Sequence, residues 1–354
     1  MKTLTQVSFC CKLGSNSIFM KNYHCSFRVP RNLLPESVEE RYDRLYTLFS
    51  HSEIYCKAVD GNWEINLSFP SDPKYYIDEK LLDGLRWWAD GTSVSDIPLE
   101  HKYLSFGKVM LHDTWTLDSW LDVIRTKGLT KFTILHFDAH SDLMEPKIGV
   151  VNGELYHLTT MKKYEPLRAQ EVKTAVCAGS IDQGCYIAPL LHVVEQVEII
   201  HIVPQKRSYQ IYSLEPTFRA DETLWPGTLK LSLKLVPYLS ERDFQKNVQS
   251  RYHVMSDYSQ VQRLLAQSHW PILLHIDMDY FCNRYNRRSD WYECQEVADD
   301  SLEIILTKLD KIADYLLNPH VRERLVSTDI ALVPGFFPAD YWERSIKHLE
   351  HLLG

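Results

Sequence analysis

Two short apolar runs in the sequence each end in acidic residues at alternate positions. The first run spans Phe132 to Phe137, and the second spans Ile272 to Ile276. Such runs are typical of strands buried on both faces of a parallel sheet, where ligands bind beyond the carboxyl ends of the strands. Five possible metal ligands follow the two runs: Asp138, His140, Asp142, Asp277 and Asp279. The pattern therefore predicts an open α/β sheet with polar chemistry at one edge.

A strand, a helix and a strand follow one another directly before Asp138. Residues 108–111 predict a short strand that ends at His112, Thr116 is a typical N-cap residue, and Gly128 closes the helical pattern. A βαβ unit is right-handed and brings the ends of its two strands to the same edge of the sheet. We therefore expect His112 to lie near Asp138.

Further elements are predicted on both sides of this unit. They are strands at 197–203, 227–236 and 328–333, helices at 301–318 and 342–353, and a loop over the sheet edge that contains Asn152 to His157. The strand at 227–236 alternates apolar and polar residues, which is typical of an antiparallel strand with one solvated face.

The first hundred residues predict a smaller unit. Strands are expected at 25–29 and 54–69, with an Asp60-Gly61 hairpin turn, and residues 37–50 have the spacing of an amphipathic helix. We interpret residues 1–100 as an N-terminal α/β extension packed on the core, and residues 101–354 as the main domain.

Composition and charge narrow the function. A net charge of -8 argues against a nucleic-acid-binding protein, which usually carries a basic surplus. No apolar run approaches the roughly 20 residues that cross a bilayer, and residues 1–6 lack the apolar region of a signal peptide. We expect a cytoplasmic protein without a membrane or nucleic-acid partner.

The acidic positions suit metal binding. Carboxylate oxygens favour manganese or magnesium, and imidazole extends the range to zinc or iron. The alternative is a cluster of solvated acids, but carboxylates crowded at buried strand ends repel one another without a cation. The sequence therefore predicts a two-metal hydrolytic site.

The order of these residues resembles the metal-ligand set of the arginase (ureohydrolase) superfamily. The resemblance rests on His112, then Asp138-Ala-His-Ser-Asp142, then Asp277-Met-Asp279. It implies a doubly wound, mostly parallel sheet with helices on both faces, in the three-layer arginase/deacetylase-like arrangement, with residues 101–354 as the catalytic domain. It also implies two Mn²⁺ ions, one held by His112, Asp138, Asp142 and Asp277, the other by Asp138, His140, Asp277 and Asp279.

The same resemblance implies the catalytic roles. A hydroxide that bridges the metals would attack a guanidinium carbon, and Asp142 would pass a proton to the leaving amine. His157, in Asn152-Gly-Glu-Leu-Tyr-His157, resembles the proton-shuttle histidine of the family; the alternative is a solvated loop histidine. His136 and His275 would orient the carboxylates, or would be hydrogen-bonded core histidines.

The last strand departs from the family pattern. The family ends this strand with a glutamate that binds the guanidinium, and Leu332 stands there in this chain. The carboxylates that could replace it are Glu154, Asp290 and Glu293, with Asp329 and Asp340 as further candidates.

Three segments resemble a divergent branch that includes peptide arginases. They are Val333-Pro-Gly-Phe-Phe-Pro338, Tyr186-Ile-Ala-Pro-Leu-Leu191, and the paired Leu-His-Phe-Asp and Leu-His-Ile-Asp strands. This resemblance implies conversion of arginine to ornithine, with release of urea, in a ribosomally synthesised precursor peptide. Association into a homo-oligomer stays open.

Two alternatives remain. One is a deacetylase-like zinc amidohydrolase with a single metal. The other is a catalytically silent, metal-stabilised peptide-binding module, in which the loop with Arg284, Arg287 and Arg288 would dock an acidic leader peptide.

Overall fold

The computed structural model describes residues 23–238, 250–283 and 300–354. Asp290, Glu293 and the arginine-containing loop at 284–291 lie outside the described residues. The described strands are β1 (Cys25–Pro30), β2 (Glu53–Val59), β3 (Asn62–Ser68), β4 (His101–Leu104), β5 (Gly107–Met110), β6 (Lys131–Phe137), β7 (Ile148–Val151), β8 (Glu154–His157), β9 (Gln196–Ile202), β10 (Gln210–Ala220), β11 (Leu229–Pro237), β12 (Arg251–Met255), β13 (Ile272–Asp277) and β14 (Leu325–Ala331).

Helices of the described residues connect many of these strands. The α-helices are α1 (Val38–Leu48), α2 (Leu81–Trp88), α3 (Trp115–Lys127), α4 (Glu171–Cys177), α5 (Ile187–Leu191), α6 (Tyr258–Gln267), α7 (Leu302–Leu316), α8 (Pro319–Arg322) and α9 (Trp342–Leu353). Short 3-10 helices lie at Arg31–Leu33, Pro73–Tyr76, Val94–Leu99, Met278–Tyr280 and Ala339–Tyr341. No helix of the described residues is both long and apolar enough to span a bilayer.

Eleven of the described strands form one large sheet with a parallel centre. The strand order is β4-β5-β14-β13-β6-β9-β12-β10-β11-β7-β8. Strands β5, β14, β13, β6, β9 and β12 run parallel to one another, and antiparallel pairs extend the sheet at both edges. The chain adds β9 and β12 on one side of β6, and then β13 and β14 on the other. The gap between β6 and β13 is therefore a topological switch point, where open α/β sheets bind ligands.

Helices cover both faces of this sheet. On one face, the ring of Trp120 in α3 meets His275 of β13 edge-on, with centroids 6.3 Å apart. On the other face, Tyr258 of α6 packs on Phe137 of β6 at 6.2 Å. The predicted α/β class, with a mostly parallel sheet between helical layers, is confirmed.

The N-terminal residues form a second, three-stranded sheet in the order β1-β3-β2. Its apolar face and α1 enclose a separate hydrophobic cluster, which Leu224 of the β10–β11 connection completes. Side chains from Tyr76 to Ile97 already pack in the main cluster. The division of the chain at residue 100 stays a prediction.

Two local expectations were wrong. Residues 152–157 do not form a loop, because Asn152 and Gly153 both adopt positive φ angles (52° and 82°) and turn β7 into β8 as a hairpin. Helix α3 begins at Trp115 with Thr114 as its N-cap residue, not Thr116. The Thr116 side chain is buried and its hydroxyl contacts Met110 Sδ at 3.2 Å, so it has become part of the core. Gly128 ends this helix with a φ of 63°, as predicted.

Candidate metal centre

The predicted acids lie together at the switch point of the large sheet. Strands β6 and β13 are parallel neighbours, in register through His136 and His275. Asp138 directly follows β6, and Asp277 is the last residue of β13. Both carboxylates therefore stand at the same edge, where the helical layers leave a crevice between them.

One group of possible ligands consists of His136, Asp138, Asp142 and His275. Their ligand atoms all lie within 4.8 Å of one another, and all four side chains are buried. His136 Nε2 lies 3.5 Å from Asp138 Oδ2 and 3.7 Å from Asp142 Oδ2. Asp142 has a φ of 53°, which lies in the left-handed region. This backbone conformation is unfavourable for residues other than glycine.

A second group consists of Asp138, His140 and Asp279. His140 Nδ1 lies 2.6 Å from Asp279 Oδ2, and the Ala139 N–H donates to Asp279 Oδ1 at 3.0 Å. Asp277 lies next to this group, since its Oδ1 accepts the Asp279 N–H at 2.8 Å. Asp138 is common to both groups, so it is placed to bridge two ions.

Several ligand atoms of the cluster have no hydrogen-bond partner in the described part of the chain. These buried atoms are His136 Nε2, Asp138 Oδ2 and His275 Nε2. Unpaired polar atoms in a protein interior are costly, and most are satisfied by another group, by water or by an ion. Imidazole nitrogen and carboxylate oxygen are the donors that divalent transition metals accept. The residues present therefore fit divalent metal ions.

Burial and mutual repulsion raise the pKa of three acids of the cluster, Asp138, Asp142 and Asp277. Burial raises the pKa of Asp138 well above its usual value, and the charges of Asp142, Asp279 and Asp277 raise it further. Burial also raises the pKa of Asp142, against a hydrogen bond from Tyr186, and the pKa of Asp277. A cation that neutralises these charges would remove the cause of the repulsion.

His140 and Asp279 form an ion pair within this acidic surrounding. Burial alone would lower the pKa of His140, but the charge of Asp279 and its hydrogen bond raise it to about 9. The reverse holds for Asp279, because burial would raise its pKa whereas His140 holds it below the usual value. The His140 proton therefore occupies a position that a metal ion could take instead.

Tyr186, directly before α5, contacts the cluster, and the sequence motifs did not assign it a role there. Its hydroxyl donates to Asp142 Oδ2 at 2.7 Å and lies 3.2 Å from His275 Nδ1. His275 Nδ1 is in turn 3.0 Å from His136 Nδ1, so the hydroxyl and both rings form one buried hydrogen-bonded chain. The segment beginning at Tyr186 had a family resemblance, but nothing in its spacing indicated contact with Asp142.

Asp113 is a further acid near the cluster, outside both ligand groups and outside the sequence motif. It is buried, and its Oδ2 accepts the Gly184 N–H at 3.1 Å. Burial raises its pKa, as does the charge of Asp142. The pKa of Asp277 is also raised by burial and by the charges of Asp279, Asp113 and Asp142. The sequence feature that could have identified Asp113 is its position directly after His112, beyond the end of β5.

His112 is buried at the same sheet edge but belongs to neither ligand group. Strands β14 and β13 lie between β5 and β6, so the predicted βαβ unit does not place its strands side by side. The imidazole meets the ring of His51 edge-on, with centroids 6.2 Å apart. Burial lowers the pKa of His112 to about 3, against the charge of Asp182. Its role as a metal ligand stays a prediction.

Other predicted residues lie apart from these two groups. His157 is buried on β8, where its Nε2 bonds Glu171 Oε1 at 2.9 Å, and Arg168 binds the same glutamate. Glu154 is half exposed and pairs with Lys163 at 2.7 Å. Asp329 is buried within β14 and accepts a hydrogen bond from Ser327, and Asp340 is exposed. The roles of His157 as proton shuttle and of Glu154 as substrate anchor stay predictions.

The cluster reaches solvent beside His140, whose side chain is 30% exposed while the carboxylates around it are buried. Asn283 Nδ2 lies 3.4 Å from His140 Nε2, and the ring of Phe336 stands at 76° to the imidazole. The exposed side of the cluster therefore lies beside His140 and Phe336.

The solved structures that are similar to this chain include one described as the crystal structure of Helicobacter pylori arginase. The two chains are 11% identical, the match covers 79% of this chain and 80% of that chain, and the TM-score is 0.30. No protein-family model matches this chain, and the comparison with curated proteins found no match. A TM-score of this size does not establish a shared fold, and the α/β class rests on the strand order and pairing described above. Those strands place a buried group of acids and histidines, able to hold divalent metal, at the switch point of an α/β sheet.

Proposed function

We propose that this protein is a manganese-dependent hydrolase that converts arginine residues of a peptide to ornithine and releases urea. The observation that carries the proposal is the buried cluster at the ends of β6 and β13, in which acids crowd together and Asp138 Oδ2 and His136 Nε2 lack partners. Two ions bound there would supply Lewis acidity and an acidified water at neutral pH.

The residues around the cluster suit a cationic substrate. Asp113, Asp138, Asp142, Asp277 and Asp279 concentrate negative charge at one opening, which attracts a guanidinium group. Two ions would not neutralise all of that charge. The peptide as carrier of the arginine is supported by the resemblance of 186–191 and 333–338 to peptide arginases.

Asp142 has a suitable position for proton transfer. Tyr186 holds one of its oxygens by a 2.7 Å hydrogen bond, which fixes the orientation of the carboxylate. In the reaction, water adds to the guanidinium carbon, the bond from this carbon to the side-chain nitrogen breaks, and that nitrogen takes a proton. Asp142 would accept the proton from the water and deliver it to the leaving nitrogen.

The test uses the full chain loaded with Mn²⁺ and a set of arginine-containing peptides, with free arginine in parallel. We expect urea release and the mass decrease of an arginine-to-ornithine conversion. Asp142→Asn should abolish turnover, and Asp122→Asn, a half-exposed carboxylate on α3, should leave it unchanged. Absence of urea from every peptide and from free guanidino compounds would refute the proposal.

Metal analysis separates the alternatives in the same experiment. Two manganese ions per chain support arginase chemistry, whereas one zinc ion with release of acetate from acetyl-lysine peptides identifies an amidohydrolase. Peptide binding that survives in Asp142→Asn, without any turnover by the wild type, identifies a binding module.

A further inference from the structure

We propose that Asp113, rather than the neighbouring His112, completes the metal-binding set from the β5 side of the cluster. The inference rests on the metal-dependent function proposed above and adds to it a ligand that the sequence motif does not contain. It concerns metal binding itself, so it is testable without substrate.

The first support is the position of the Asp113 carboxylate. Gly184 connects it to the cluster: the Gly184 N–H donates to Asp113 Oδ2 at 3.1 Å, and a Cβ placed on Gly184 would lie 3.6 Å from Asp142 Oδ1. Asp113 and Asp142 therefore both have a carboxylate oxygen close to the same glycine. The φ of +74° at Gly184 allows this turn without a side chain in the space beside Asp142.

The second support is the missing counter-charge. Asp113 is 3% exposed, and its hydrogen bonds in the described residues come from Gly184 and, at 3.4 Å, from the hydroxyl of Thr114. No lysine, arginine or histidine of the described residues pairs with it. A buried carboxylate without a cation is strongly destabilising, and a backbone N–H alone compensates only a part of the charge.

The third support is the state of the neighbouring ligands. Asp138 Oδ2 and His136 Nε2 are buried and unpartnered in the described part of the chain. These atoms point independently to a ligand between β6 and the surrounding loops. On the β5 side, the neighbouring strand β14 ends in Ala331, with Leu332 directly after it, and both are apolar, whereas Asp113 brings a buried carboxylate after β5.

His112 faces other groups. Its ring meets that of His51, with centroids 6.2 Å apart. Neither His112 nor Asp113 belongs to the two groups of ligand atoms found among the described residues, but the Asp113 carboxylate accepts the N–H of Gly184 beside Asp142. His112 and Asp113 thus have different surroundings, because the imidazole packs on His51 and the carboxylate binds Gly184 beside the acidic cluster.

The experiment compares Asp113→Asn with His112→Asn as a matched pair of neighbours. Elemental analysis and calorimetric titration with Mn²⁺ give the number of ions and their affinities. We expect Asp113→Asn to lose one ion or to bind it at least about tenfold more weakly, because even indirect supports of a metal site cost 10–100-fold when removed. His112→Asn should keep both ions at the wild-type affinity. The reverse pattern, or unchanged binding in Asp113→Asn, overturns the inference.

A cysteine variant tests the same position by a gain of signal in place of a loss of binding. Thiolate is a soft ligand that prefers cadmium over manganese. The cadmium–thiolate bond absorbs in the ultraviolet. Asp113→Cys should gain this absorption on addition of Cd²⁺, relative to the wild type, and His112→Cys should not. Absorption in His112→Cys alone overturns the inference.

These outcomes are distinct from those of the proposed function. Two ions in the wild type, one in Asp113→Asn and no urea from any substrate would refute the proposed reaction and support the role of Asp113. Urea formation by the wild type with unchanged ion binding in Asp113→Asn would do the opposite.

Discussion

At the residue scale, the polar groups buried near the sheet edge each have a specific surrounding. Asp142 takes a hydrogen bond from Tyr186, and Asp279 takes one from His140 and one from Ala139. Asp329, deeper in β14, accepts a hydrogen bond from the Ser327 hydroxyl at 2.6 Å. Burial is the main cause that raises the pKa of Asp329.

A pH-dependent loss of stability is expected from Asp329. Burial raises its pKa from 3.8 to about 7, against hydrogen bonds from Ser119 and Ser327. The folded state holds this proton more tightly than the unfolded state, so stability falls as pH rises from about 4 to 7. One pKa unit corresponds to about 1.4 kcal/mol. Between pH 5 and pH 8, the free energy of unfolding of the wild type should therefore fall by about 2–3 kcal/mol more than that of Asp329→Asn.

Urea unfolding at the two pH values measures this difference. The other acids titrate in both proteins, so their contribution cancels in the comparison. Asp122→Asn, with its carboxylate at the surface of α3, should follow the wild-type pH dependence. Equal pH dependence of Asp329→Asn and the wild type would contradict the prediction.

At the scale of elements, α2 packs closely against the start of the C-terminal helix at a glycine, Gly84. A Cβ on Gly84 would lie 2.7 Å from the Ala339 Cβ and 2.9 Å from Cε3 of Trp342, the first residue of α9. The side chain of Asp78 also binds here, since its Oδ2 accepts the Ala339 N–H at 2.8 Å. The close approach of α2 to residues 339–342 therefore depends on the absence of a side chain at position 84.

Gly84→Ala should destabilise the protein although alanine favours helices. Alanine gains about 1 kcal/mol in a helix interior, while overpacking of a tight contact costs about 1–3 kcal/mol. We expect the free energy of unfolding to fall by about 1 kcal/mol, measured by urea titration. Asp83→Ala, at an exposed position one residue earlier, should stay within about 0.5 kcal/mol of the wild type. A more stable Gly84→Ala would show that α2 moves away without cost.

At the scale of the whole molecule, the cluster joins segments that are distant in the chain. Residues 138–142 follow β6, residues 277–279 lie at the end of β13, and Tyr186 directly precedes α5. Without a cation, folding brings several mutually repelling carboxylates into one buried region. The stability of the large sheet is therefore linked to metal binding.

Mn²⁺ should raise the melting temperature of the protein, and a chelator should reverse the change. Metal that binds only the folded state adds about 2.7 kcal/mol when its concentration is about one hundred times Kd. Asp138→Asn should reduce the shift, because Asp138 is common to both ligand groups. The same variant without metal should be at least as stable as the wild type, since it removes one repelling charge. Calorimetric melting curves with Mn²⁺ and with chelator test this, and identical curves would exclude a structural contribution of metal.

Much of the fold and part of the site followed from local patterns. The buried strands at 132–137 and 272–276, and the Gly128 helix end, depend on side-chain periodicity and backbone conformation that the sequence displays. Asp138, His140, Asp142 and Asp279 meet because each lies within a few residues of the end of one of two strands. The 152–157 hairpin was missed, although Asn152-Gly153 carried its turn signal.

The sequence alone determined which residues end the central strands and which chemistry they bring there, because alternation and apolar runs are local properties. Only the tertiary structure decided the strand order, which separates β5 from β6 by two strands and directs His112 toward His51. It also decided that Tyr186 binds Asp142, that Gly184 binds Asp113 and that His157 pairs with Glu171. These contacts depend on how distant segments pack, and no spacing along a single chain records that.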